Sequence, residues 1–211
     1  MAVDWANISS LATGGGTLVL AVATFAAVRS ANRAARAAER SLLVGLRPLL
    51  VPSRLDDSQQ KVFFGDGWHA MLPGGAAVAR EENGVVYLAT SLRNAGSGIG
   101  VLHGWLFHAG DYRDDEHCDL AKFTHQARDL YISSGDIGFW QGALRDPEHP
   151  GFDAARKAIS AREPLTIDLL YGDYEGGQRV VSRFLLRPGR EERPWLLSVT
   201  RHWNIDRPDP R

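Results

Sequence analysis

Cysteine is nearly missing from this chain: Cys118 is the only one in 211 residues. That excludes an intramolecular disulfide and any multi-cysteine zinc site. Net charge is nearly missing too, at −1, so there is no global basic footprint for nucleic acid. Lysine is scarce: Lys61, Lys122 and Lys157 stand among 24 basic residues, and the other 21 are arginines. No G-x-S-x-G, Walker A, Rossmann, H-E-x-x-H or paired C-x-x-C motif occurs, which removes the commonest signatures of hydrolase, nucleotide and zinc chemistry. The most informative absence is local. Between Asp4 and Arg29 lie 24 residues without a single charge.

What fills that gap is apolar, centred on Leu18–Val28. At about 1.5 Å per helical residue it covers the ~30 Å hydrocarbon core of a bilayer. Gly14, Gly15 and Gly16 dilute it, and a buried core helix is the competing reading. A cleavable signal peptide needs a basic start, and no Lys or Arg precedes position 29. The basic residues come afterwards: Arg29, Arg33, Arg36, Arg40 and Arg47. The positive-inside rule then predicts a single-pass protein of the inner membrane, N-terminus outside and C-terminal domain in the cytoplasm. The lack of disulfides agrees. Small residues four apart, Ala12/Gly16 and Ala23/Ala27, would let two spans pair as a homo-oligomer, although alanine-rich spans contain such pairs by chance.

Residues 29–47 form a basic neck, predicted to continue the helix until Pro48 ends it. Arg29, Arg33, Arg36 and Arg40 share one face, suited to anionic lipid headgroups or to solvent. Residues 1–47 carry a net +3 and residues 48–211 a net −4, which separates a lipid-facing neck from a mildly acidic body.

From Pro48 the hydrophobic period changes to two. Strands are predicted at Leu49–Ser53, Lys61–Phe64, Val85–Arg93, Ile99–His108, Asp129–Ser133, Gly138–Leu144, Leu165–Tyr171, Arg179–Arg187 and Trp195–Trp203, with one helix at Phe152–Ala161. The fold class is therefore mainly β: a transmembrane helix (1–28), a basic juxtamembrane helix (29–47), an antiparallel β-sandwich (48–206) and a tail (207–211). A two-residue turn at Gly176-Gly177 would set Leu169 opposite Phe184 and Ile167 opposite Leu186. Arg179, Arg183 and Arg187 would then share the other face with Asp168, as an anion or partner surface or as a solvated sheet face. Gly96-Ser-Gly98-Ile-Gly100 resembles a phosphate loop only superficially, because a strand follows it rather than a helix. Its glycines are expected at turn and bulge positions with positive φ.

The single span, the neck ending Leu46-Arg47-Pro48, the segment Leu92-Arg-Asn-Ala-Gly-Ser-Gly98 and the late Tyr171-Gly-Asp-Tyr-Glu-Gly-Gly177 hairpin together resemble uncharacterised bacterial single-pass membrane proteins with a β-sandwich body. The arginine bias fits a high-GC, actinomycete-like source. The resemblance implies no catalytic residues.

Chemistry-bearing residues are thinly spread. His103 and His108 are five apart and fall on opposite strand faces. The segment 111–125 offers His117, Cys118, Asp119 and His125 as metal-ligand types, without a recognised spacing; a solvated acidic loop is the alternative. The tryptophans read as core.

The expected function is a non-enzymatic, membrane-tethered binding or scaffold protein, with the lipid bilayer and a protein at the membrane as partners and with no cofactor. The alternative is a metal-assisted enzyme using the 111–125 segment. A nucleic-acid-binding role for the Arg179/Arg183/Arg187 face is opposed by the body's net −4.

Overall fold

A computed structural model describes residues 5–190 and 194–208, with side chains described from residue 14 onwards. The chain divides into two compact units, the first ending at Val44 and the second beginning at Gly45.

The described residues of the first unit all lie in one helix, α1 (Trp5–Gly45), 41 residues without a break. Alanine, leucine and arginine favour it, and proline is absent until Pro48. Its stretch Gly14–Gly45 is long and apolar enough to cross a membrane. Leu18, Val19, Leu20, Val22, Phe25 and Val28 are all more than half exposed. Arg29, Arg33, Arg36 and Arg40 are exposed on the same helix, as are Ala23 and Ala27; the Ala12 side chain lies outside the described residues.

The second unit is mainly β. Its elements are β1 (Leu50–Pro52), β2 (Gln60–Phe63), β3 (His69–Leu72), β4 (Ala76–Glu82), β5 (Val85–Asn94), β6 (Gly100–Ala109), β7 (Thr124–Ile132), β8 (Ile137–Leu144), α2 (Phe152–Ala161), β9 (Leu165–Gly172), β10 (Val180–Arg187) and β11 (Trp195–Asn204). Nine of the strands form one curled antiparallel sheet in the order β1-β5-β4-β11-β10-β9-β6-β7, with β8 on the other edge of β5. Strands β2 and β3 form a separate hairpin. The C-terminal strand β11 joins the two halves of the sheet: it pairs with β10 along its length and with β4 through Trp195–Ala77 and Leu196–Ala76.

The main core lies inside the curl. Leu50, Leu88, Leu92, Trp105, Trp140, Ile167, Tyr171 and Phe184 meet there, and α2 adds Phe152, Ala155 and Ala158. Two smaller clusters cover the outer faces. The β2–β3 hairpin packs Val62, Phe64 and Leu72 on Tyr87 and Ala89 of β5. The chain between β6 and β7 brings Phe123 onto Val181 and Trp203, with Cys118 and Leu120 beside them. These covers explain why β5 and β9 are buried on both faces.

Two strands, β3 and β4, were not expected. The β4 sequence Ala76-Ala-Val-Ala-Arg-Glu-Glu82 has helical propensity, and its six-residue pairing with β5 overrides it. The β9–β10 register also differs from the tight-turn expectation. Leu169 faces Ser182, Ile167 faces Phe184 and Leu165 faces Leu186. The shift is two residues, so each side chain keeps its face. The cause is a wider loop. Asp173 Oδ1 accepts from Gly177 N at 2.8 Å and Asp173 Oδ2 from Gln178 Nε2 at 3.0 Å, so β10 starts only at Val180.

The Leu92–Gly98 segment makes a close backbone crossing. Neither Gly96 nor Gly98 has positive φ. A Cβ at Gly98 would strike the Leu46 backbone, and one at Gly96 the Arg47–Leu49 backbone. Ser97 N and Gly98 N donate to Arg47 O, and Ala95 N donates to Leu49 O. Glycine is needed here for approach rather than for handedness. Two of the four features that carry the sequence resemblance, Leu46–Pro48 and the Leu92–Gly98 segment, thus meet in space.

Candidate functional site

The site begins with one carboxylate in an apolar strand. Asp168 interrupts Leu165-Thr-Ile-Asp-Leu-Leu170 and is fully buried. Arg183 stands directly opposite on β10 and is also buried. Its Nε donates to Asp168 Oδ1 and its Nη2 to Oδ2, both at 2.8 Å. This fork is the geometry that makes a desolvated ion pair tenable. Burial pushes the Asp168 carboxyl up, but the hydrogen bonds from Arg183 and His108 outweigh it and hold it below the ordinary range.

The connection from β6 to β7 closes over this pair like a strap. Gly110, at φ +78°, turns the chain out of β6. Thr166 Oγ1 fixes the turn, donating to Gly110 O at 2.7 Å and accepting from Tyr112 N at 3.0 Å. Asp114 O accepts from Arg183 Nη1 at 3.0 Å, and Asp115 O from Trp203 Nε1 at 3.1 Å. The Arg183 guanidinium lies over the Tyr112 ring at 4.5 Å and the Trp203 ring at 4.8 Å. Asp119 accepts from Ala121 N at 3.0 Å, starting the single 3-10 turn Leu120–Lys122 that carries the strap into β7.

The strap is acidic and the face beneath it is basic. Arg187 reaches Asp111 at 3.4 Å and Arg201 reaches Asp115 at 2.5 Å, beside the Arg183 contact with Asp114 O. Arg179 lies just before β10 and pairs with Asp206 at 2.7 Å. Each arginine of the expected anion surface therefore meets a carboxylate of its own chain. Arg183 is a buried residue rather than part of a solvated face, because the strap covers it. The acidic segment and the arginine face, separate features in the sequence, partner each other.

His108 and Cys118 complete the site. His108 Nε2 lies 3.2 Å from Asp168 Oδ2 and 3.8 Å from Cys118 Sγ. Its ring stacks on Tyr112 at 4.2 Å, tilted by 6°. The Tyr112 hydroxyl donates to Asp114 Oδ2 at 3.0 Å. That bond, burial and the neighbouring Cys118 push the phenol up to about 12. Both the thiol and the carboxylate address the same imidazole nitrogen. A nucleophilic relay needs them on opposite ring nitrogens, so this is not a Cys-His-Asp triad.

Of the four ligand-type residues singled out in the 111–125 segment, Cys118 alone joins the cluster. His117 is exposed, with Nδ1 2.9 Å from Cys118 O. Asp119 caps the 3-10 turn. His125 lies on β7, opposite Gly104 of β6. Sequence reasoning weighed His108 only with His103 and Asp168 only on the arginine face, and joined neither to Cys118. One signal pointed to them: a single carboxylate within an apolar strand requires a buried partner.

A second feature lies where the sheet fails to close. Among the described residues, strand β7 is laddered only to β6, and β8 only to β5. Their free edges face each other across a cleft of roughly 490 Å³ lined by Thr124, His125, Gln126, Arg128, Gln141 and Arg145 among others. Side chains bridge it: Gln126 Nε2 donates to Gln141 O at 3.1 Å, and Arg128 Nη2 to Gln141 Oε1 at 2.9 Å. No protein-family model matches the chain, and neither the curated proteins nor the solved structures contain a match.

Proposed function

We propose that this is a non-enzymatic, membrane-tethered binding or scaffold protein that presents its β body at the inner membrane surface. The observation that carries this reading is α1. Six large apolar side chains between Leu18 and Val28 are exposed on a helix that then places Arg29, Arg33, Arg36 and Arg40 immediately after them. In water such a surface is an association hazard; in a bilayer it is matched, with the arginines at the headgroups. The N-terminus is outside and the body is cytoplasmic. Tethering raises the body's effective concentration for a protein partner at the same membrane. The facing β7 and β8 edges, bridged by side chains rather than by a ladder, are the surface suited to such a partner, because an added strand gains main-chain hydrogen bonds there.

Topology tests this reading. Tyr174, 68% exposed, is the labelling position: Tyr174→Cys in a Cys118→Ser background. A membrane-impermeant maleimide should label this variant only after the cells are permeabilised. Labelling of intact cells would reverse the orientation. Recovery in the soluble fraction without detergent would remove the anchor.

A further inference from the structure

From the geometry of His108, Cys118 and Asp168 we infer a binding site for a zinc-class divalent cation that clips the strap to the sheet. The three residues come from three different places: β6, the strap and β9. Their ligand atoms lie within 4.8 Å of one another. A tetrahedral ion with bonds of about 2.0–2.3 Å to N, O and S needs ligand separations of roughly 3.3–3.6 Å. The two separations at His108 Nε2, 3.2 Å to oxygen and 3.8 Å to sulfur, bracket that requirement.

The donor set selects the metal. Thiolate with imidazole suits zinc and its neighbours and disfavours magnesium and calcium, which take all-oxygen shells. On binding, the Cys118 thiol gives its proton to solvent and the sulfur takes the cation. His108, whose Nε2–H donates to Asp168 in the metal-free protein, changes tautomer: the Nε2 proton leaves to solvent, Nδ1 takes one up, and the freed Nε2 lone pair goes to the ion. Asp168 Oδ2 has two lone pairs, one for Arg183 and one for the ion.

Arg183 is the argument against a cation here, and it is answered by charge. Asp168 and the Cys118 thiolate supply two negative charges against the one positive charge of Arg183, and Asp114 of the strap, which takes its side-chain hydrogen bond from Tyr112 and not from an arginine, adds a third. The carboxylate held by Arg183 is also pre-oriented, as metal-ligating carboxylates are by their outer hydrogen bonds. Three protein ligands leave one position for water. The consequence is mechanical: the ion would tie the strap, otherwise held by arginine contacts, to two sheet strands.

The test uses the full chain in detergent micelles, with Co(II) as probe. Wild type should bind one equivalent, with a thiolate-to-cobalt charge-transfer band that Zn(II) displaces. Cys118→Ser should lose the band while keeping its far-UV and near-UV circular dichroism. His108→Gln should weaken binding by about 10-fold or more. His117→Ala should bind as wild type does. Zn(II) should also protect Cys118 from a thiol reagent in wild type and fail to do so in His108→Gln. Absence of the charge-transfer band in wild type, or unchanged binding in His108→Gln, overturns the site. Loss of binding in His117→Ala would move the ion out of the buried cluster and overturns it equally.

Discussion

Asn94 shows how much a single side chain can organise. Its Oδ1 accepts from Leu49 N at 3.1 Å and Gly96 N at 2.9 Å. Its Nδ2 donates to Gly98 O at 2.6 Å and Ile132 O at 2.9 Å. The amide is fully buried and uses both of its ends, so it fixes β1, the glycine segment and the end of β7 together. The glycines it holds admit no larger residue. Gly98→Ala should destabilise the body by more than 2 kcal/mol, the order expected for a core clash that backbone movement must relieve, read as a lower urea midpoint. Tyr171 is the matching case on β9. Its buried hydroxyl meets Leu50 N at 3.1 Å and Ser182 Oγ at 2.8 Å. Tyr171→Phe should cost about 1–3 kcal/mol by leaving a buried N–H without its acceptor, measurable by the same denaturation. Asp168→Asn should cost more, about 3–5 kcal/mol, because it strands the Arg183 charge in the interior.

Among the elements, those with strong patterns were legible. Helix α2 was expected at Phe152–Ala161 and is found at those bounds, between Gly151 and a left-handed Arg162. Strands β5, β6, β8, β9, β10 and β11 lie within two residues of expectation because alternation and turn residues agree there. Strand β4 was illegible because its stability comes from its neighbours. The site was illegible for a related reason. His108 reaches Asp168 only because β6 lies beside β9, with the register shifted between Leu102 and Gly104, and neither fact is written locally. The strap hid in the same way, since its acidic residues look solvated until the arginines beneath them are seen. Its carboxylate–arginine pairs, Asp111–Arg187 and Asp115–Arg201, are surface pairs, each worth about 0–1 kcal/mol, while its backbone is held by Arg183 and Trp203. Asp111→Asn with Asp115→Asn should therefore leave global stability nearly unchanged. Amide hydrogen exchange should rise across residues 111–123 and stay constant in β9 and β10.

For the whole molecule, the pH response follows from its buried and paired groups. Asp168 and Asp206 titrate below the usual value of 3.8, the first against burial and the second chiefly through Arg179. A depressed carboxylate stabilises the fold above its ordinary value, and that contribution is lost as pH falls through the folded one. Burial raises Tyr171 from 10.0 to about 12, a contribution present below 10 and lost as pH rises towards 12. Burial holds His103 below its usual 6.5, so a contribution present above 6.5 is lost as pH falls through the folded value. Thermal stability should be highest between about pH 7 and 10, decline below about pH 6.5, fall further below about pH 4 and fall again above about pH 10. A loss of stability already complete between pH 5 and 6 would contradict the assignment of the acid limb to Asp168 and Asp206, which titrate below 3.8.

The position of β11 in the sheet orders events in time. Translation runs at about 5–20 residues per second, so the 149 residues between the end of α1 and the start of β11 take roughly 7–30 s. During that interval the apolar helix is already outside the ribosome, while β4 and β10 each lack the neighbour that joins them. Nascent chains stalled before Trp195 should therefore be carbonate-resistant yet sensitive to protease, and only chains that include β11 should resist both. On the proposed tether, insertion would come first and folding second, with the bilayer holding the chain while its sheet is still in two pieces.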